Sequence, residues 1–130
     1  MDPYAIIDES TFPLVNIRFT GAKSTDENFR AYLEQTKACY RHEKPLAIIF
    51  DATKATLPAI SHQKMQALWL KDNEGLMKQY CLGTAYLIPN PAIRAVLKMI
   101  FSFQKQPVAY RVVRTVDEGK EWVESLLKWT

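Results

Sequence analysis

Apolar and polar positions change period several times along the chain, and each change marks an element. Residues 14–19 (LVNIRF) alternate apolar with polar, the period of a strand with one wet face. A shorter apolar run over residues 4–9 precedes it across Phe12-Pro13, and the two read as a hairpin or an adjacent strand pair. Residues 46–50 (LAIIF) and 83–88 (GTAYLI) are continuously apolar instead, the pattern of strands buried on both faces of a parallel sheet. Residues 108–113 form the last predicted strand.

Between these runs the period lengthens to that of a helix. Ser24 and Glu27 have the spacing of a capping box, and Phe29, Leu33, Thr36 and Tyr40 follow at helical intervals until Pro45 forbids continuation. After Pro58, Ser61 is the candidate N-cap of a helix running to about residue 80. Its predicted buried face is Met65, Leu68, Trp69, Leu76 and Tyr80, with Gly75 as the place it weakens. Asn90 followed by Pro91 is a strong start for a helix reaching about residue 104. Thr115 and Glu118 predict a second capping box, opening a last helix with Trp122, Val123, Leu126 and Leu127 on one face.

The order β-β-α-β-α-β-α-β-α predicts an α/β fold, a mostly parallel central sheet flanked by four helices. At 130 residues one domain spanning 1–130 is expected, with no internal repeat. No run approaches the ~20 apolar residues of a membrane span. The start, Met1-Asp2-Pro3, lacks the basic-then-apolar pattern of a signal peptide. Cys39 and Cys81, both in segments read as helical, are therefore expected as reduced thiols.

The net charge of +3 is too small for a nucleic-acid-binding composition, so no nucleic acid partner is expected. Placement of the charge is more informative. In the helix from Asn90, Ile93, Val96, Leu97, Ile100 and Phe101 make one face, and Met99 and Phe103 widen it. Arg94, Lys98 and Lys105 gather opposite. In the helix before it, Lys64, Lys71 and Lys78 recur every seven residues. Leu70, Met77 and Cys81 form a secondary apolar strip at a different angle from the predicted core face. A broad apolar arc beside cations suits contact with an anionic membrane surface, through Lys64, Lys71, Lys78, Arg94, Lys98 and Lys105. The plainer alternative is wide core contact with a solvated basic face. A third option is a pocket for a lipid-like or other apolar ligand, lined by Trp69, Leu70, Met77, Met99, Phe101 and Phe103.

The strand ends and helix starts present Asp51, Ser61, Asn90 and Thr115 as polar candidates. For most of them capping is a sufficient reason. His42 and His62 are the only histidines, and no cluster has metal-ligand spacing, so neither a metal site nor a cofactor is expected. No Gly-x-Ser-x-Gly elbow or phosphate loop occurs, and no catalytic set is assigned.

Three stretches carry a family resemblance. They are Ile48-Ile49-Phe50-Asp51-Ala52-Thr53, then residues 85–91 (AYLIPNP) running into Arg94-Ala95-Val96-Leu97, and residues 110–115 (YRVVRT) followed by Glu118 and Trp122. Together they resemble the SpoIIAA-like (STAS/Sec14-like) family of small bacterial proteins. STAS regulators that work by phosphorylation carry an Asp-Ser-Ser-Gly-type turn before the second helix. Here that stretch reads Leu57-Pro58-Ala59-Ile60-Ser61-His62, with Ser61 near the right place and the aspartate and glycine absent. The resemblance implies a cytoplasmic protein, peripheral to the inner membrane surface if it contacts one, with an apolar or amphipathic ligand. It also leaves open a regulatory module that meets a protein partner or a second copy. A small hydrolase or transferase built around Asp51 is the third alternative.

Overall fold

The computed structural model describes residues 2–128. Five strands form one sheet in the order of the chain: β1 (Ala5–Asp8), β2 (Leu14–Phe19), β3 (Leu46–Asp51), β4 (Cys81–Leu87) and β5 (Tyr110–Val113). β1 and β2 pair antiparallel and the other three pairings are parallel. The α/β class, the antiparallel first pair and the mostly parallel sheet agree with the sequence pattern.

Among the described residues there are five α-helices rather than four: α1 (Asp26–Ala38), α2 (Ile60–Asp72), α3 (Glu74–Tyr80), α4 (Pro91–Phe103) and α5 (Val116–Leu127). The parallel strands lie in sequence order, so right-handed crossovers all step the same way and deliver α1 to α4 to one face. α5 follows the last strand and packs on the opposite face, over β3 and β4. β3 is therefore apolar throughout for two reasons. Leu46, Ile48 and Phe50 enter the core under α1–α4, and Ala47 and Ile49 enter the smaller core under α5.

Several local expectations are corrected. α1 is capped by Thr25, which accepts the Asn28 amide while Asn28 Oδ1 accepts the Thr25 amide. Ser24 is not the cap because its hydroxyl is engaged by the next connection, described below. The long helix after Pro58 starts at Ile60 with Ala59 as its N-cap, so Ser61 lies inside the first turn. It breaks at Asn73, not at Gly75. There the Asn73 backbone and side chain both donate to the Trp69 carbonyl, at 3.0 and 2.9 Å, ending the regular ladder.

That break changes which residues are inside. Leu70 and Met77 are buried at 3% exposure each, whereas Leu68, expected in the core, is 56% exposed. The segment expected as one helix to about residue 80 is two, α2 and α3, meeting at Asn73. Cys81 is the first residue of β4 rather than part of a helix. Asn90 and Thr115 do cap α4 and α5. Glu118 accepts the Arg114 amide, one residue upstream of the expected capping-box donor.

Candidate functional site

The sheet face under α1, α2 and α4 is paved with aromatic rings. Phe19, Phe50 and Tyr86 come from β2, β3 and β4, and their rings stack in a row at 6.3 and 5.0 Å between centroids. Tyr4 meets Phe19 edge-on at one end, and Phe101 from α4 meets Tyr86 edge-on at the other. Phe29 and Tyr32 of α1 lean onto Tyr4. Rings of this size are rigid, and helices laid over them leave space. The space is a small, half-open, mostly apolar cavity of about 90 Å³.

The walls come from four helices, with α1 contributing Phe29, Tyr32 and Thr36. Trp69, Leu70 and Gln66 of α2, Met77 of α3, and Ile93, Val96, Leu97, Ile100 and Phe101 of α4 line the cavity. So do Ala55, Thr56 and Pro58 from the connection between β3 and α2. The partly exposed members are Gln66 and Trp69 of α2, Val96, Leu97 and Phe101 of α4, and Phe19, Ala55 and Thr56 elsewhere in the wall.

Polar groups are few and placed inside. Gln106 Nε2 donates to the Tyr86 hydroxyl at 2.7 Å and to Thr84 Oγ1 at 3.4 Å. The Tyr40 hydroxyl lies near the Cys81 thiol without reaching hydrogen-bond geometry, and neither it nor Trp69 Nε1 has a partner. Burial raises the tyrosine hydroxyls of the wall. Tyr4 is pushed up to about 12, and Tyr32, Tyr40 and Tyr86 also rise. At Tyr86 the hydrogen bonds from Thr84 and Gln106 act in the opposite sense.

Four of the six residues expected to line an apolar pocket, Trp69, Leu70, Met77 and Phe101, do line this cavity. Met99 and Phe103 do not. They are exposed at 44% each on the outer side of α4, where Lys64 of α2 lies 5.8 Å from the Phe103 ring centroid. The periodicity of α4 places Met99 and Phe103 beside the buried stripe rather than within it. α2 and α4 pack against each other, and besides Leu68, Met99 and Phe103 they and the residues just after α4 expose Lys64, Lys71, Arg94, Lys98 and Lys105. Lys78 lies on α3 and is paired with Glu74 at 2.8 Å. Residues 52–71 and 75–116 contain no Asp or Glu at all, whereas α5 on the opposite face carries Asp117, Glu118, Glu121 and Glu124.

The aromatic floor has no signature in the local pattern. Phe19, Phe50 and Tyr86 each sit on a recognised strand, but only the register of β2, β3 and β4 brings them into one row.

The remaining polar candidates are dispersed. Asp51 Oδ1 accepts the Thr53 amide at 3.0 Å and the Thr53 hydroxyl at 2.5 Å, a local turn at the strand end. Asn90 accepts the Ala92 amide, and Thr115 the Glu118 amide. Ser61 is exposed. Among the described residues no group of His, Cys, Asp and Glu is placed to hold a metal ion. No described helix is long and apolar enough to cross a membrane.

One constellation had no sequence signal. His62, 4% exposed, stacks on Phe29 at 5.2 Å and bridges Ser24 and Asp26. Its Nδ1 lies 2.8 Å from Ser24 Oγ and its Nε2 2.8 Å from Asp26 Oδ1. A carboxylate only accepts, so in the neutral ring Nε2 carries the proton and Ser24 donates to Nδ1. The same Ser24 oxygen accepts the Ala59 amide at 3.2 Å. Serine, histidine and aspartate are thus wired in series, but the serine oxygen is engaged from both sides and lines no part of the cavity. The network clamps the start of α1 to the start of α2, and so holds the 52–59 connection that forms part of the cavity wall.

No protein-family model matches this chain, and no curated protein matches its sequence.

Proposed function

We propose that this protein is a non-enzymatic, SpoIIAA-like (STAS/Sec14-like) domain that binds an apolar or amphipathic small molecule at the surface of an anionic membrane. The cavity carries the reading. Rigid aromatic rings from three strands and apolar side chains from four helices surround a half-open apolar space, with only a few oriented polar groups. The cytoplasmic face of a bacterial inner membrane is the setting the resemblance suggests.

The surface contact is supported by the α2–α4 side. Its exposed Leu68, Met99 and Phe103 suit the acyl boundary, and Lys64, Lys71, Arg94, Lys98 and Lys105 suit lipid phosphates. Each cation near an anionic surface contributes about 1 kcal/mol. Apart from Asp72 at the end of α2, no acid on these two helices opposes this attraction. Five of the partly exposed cavity residues lie on these two helices, so an entry there would coincide with the surface contact.

Co-sedimentation with phosphatidylglycerol-containing vesicles tests the surface reading. Binding is expected to weaken as salt screens it, to be absent on phosphatidylcholine alone, and to be lost in the Lys64→Glu, Arg94→Glu, Lys98→Glu variant. Binding indifferent to vesicle charge and to these substitutions refutes it. A stable complex with a second copy or another protein, formed through this side without vesicles, favours the interaction-module reading instead.

A further inference from the structure

The cavity wall contains no Asp, Glu, Lys, Arg or His. Its hydroxyls and amides are all neutral, so nothing in it can balance a charge. Removing an ion from water into such a wall is strongly unfavourable. Yet the wall is not purely apolar. Gln106, Thr84 and Tyr86 form a hydrogen-bonded set within it. Two further donors among its side chains, the Tyr40 hydroxyl and Trp69 Nε1, have no acceptor in the protein. The wall therefore has surplus donors and no cation. An ionised headgroup finds its partners only outside, at Lys64, Arg94 and Lys98.

Resting on the ligand-binding reading above, we infer that the cavity selects an uncharged apolar molecule with a hydrogen-bond-accepting group, such as an alcohol or ester, over the carboxylate of the same chain. The accepting end goes inward to the donor-rich wall. A carboxylate of equal length is held back by its head, and its chain is only partly buried.

Calorimetric titration of the full chain at pH 8 with octan-1-ol, methyl octanoate and sodium octanoate tests this. The alcohol and the ester are expected to bind at least tenfold more tightly than octanoate. Leu97→Trp, which adds bulk among the half-exposed lining residues, is expected to weaken both at least tenfold. Val96→Trp serves the same purpose if the first variant does not fold, as judged by circular dichroism. Octanoate binding as tightly as the alcohol, while still blocked by the tryptophan, overturns the selectivity and leaves the cavity reading standing. Failure of all three probes to bind, or binding that ignores both variants, overturns the two together.

Discussion

Replacing Ser24 by alanine removes one oxygen and adds no bulk, so it is a clean probe of the clamp between α1 and α2. That oxygen is the partner of His62 Nδ1 at 2.8 Å and of the Ala59 amide at 3.2 Å. His62 is almost wholly buried, and its Nδ1 would be left without a partner. A stranded buried polar atom costs about 1–3 kcal/mol. The Ala59 amide sits on an exposed residue where water can replace the serine, so its loss costs about 0.5–1 kcal/mol. Ser24→Ala should therefore destabilise the fold by about 2–3 kcal/mol. Asp26→Ala removes the other partner of the same ring, but the Asp26 side chain is 79% exposed. An exposed partner of this kind is worth under about 1 kcal/mol. Urea unfolding at pH 7.5 measures both. With a slope of about 1.5 kcal/mol/M, the Ser24→Ala midpoint should fall by about 1.3–2 M and that of Asp26→Ala by less than about 0.7 M. A Ser24→Ala midpoint within 0.3 M of the parent value, taking roughly 0.5 kcal/mol as the resolvable change, refutes the clamp. Equal losses in the two variants would place the energy in the charge contact instead of the buried oxygen. Octan-1-ol affinity should also drop in Ser24→Ala, because the connection held by the clamp supplies Ala55, Thr56 and Pro58 to the cavity wall.

Two further outcomes follow from packing and burial. Cys39 and Cys81 are buried free thiols whose pKa is pushed up to about 11 each, chiefly by burial. Neither should react with a thiol reagent within minutes at pH 8, and both should react at once in concentrated urea; fast labelling of the native protein refutes this. Unfolded thiols ionise near 8.5, so their contribution to stability is fully present below that pH and is lost as pH rises towards about 11, at roughly 1.4 kcal/mol per unit per thiol. Gly83 lies on β4 beneath α5, and an added Cβ would come within 2.6 Å of Leu126 Cδ1 and 3.1 Å of both the Ala109 carbonyl and the Trp122 ring. Gly83→Ala should cost about 1–3 kcal/mol in thermal unfolding through overpacking. A neutral or stabilised variant would mean that α5 yields freely.

Most of the fold was legible because its signals are local. The unbroken apolar run at 46–50 has one economical explanation, a strand covered on both faces, and the structure supplies the two cores that cover it. Asn90-Pro91 marks a helix start through geometry that neighbouring residues alone impose. The errors share a cause as well. Ser24, Thr25 and Ser61 are all competent caps by residue type. The choice among them depended on His62, 38 residues from Ser24. Asn73 ends α2 by turning its amide back onto Trp69, an option that periodicity does not register. Once that break is missed, Leu68 and Leu70 exchange roles.

The sequence by itself determined the α/β class, the parallel centre of the sheet, the aromatic and apolar stock of the cavity, and the absence of acids from residues 52–71 and 75–116. These are properties of runs and periods, and they survive any small shift of register. Only the tertiary structure decided that Phe19, Phe50 and Tyr86 form one floor, that Met99 and Phe103 face outward, and that Ser24, His62 and Asp26 meet. Each depends on the angle at which a helix settles or on which strand lies beside which. Those are settled by packing between segments far apart in the chain, where no local pattern reaches.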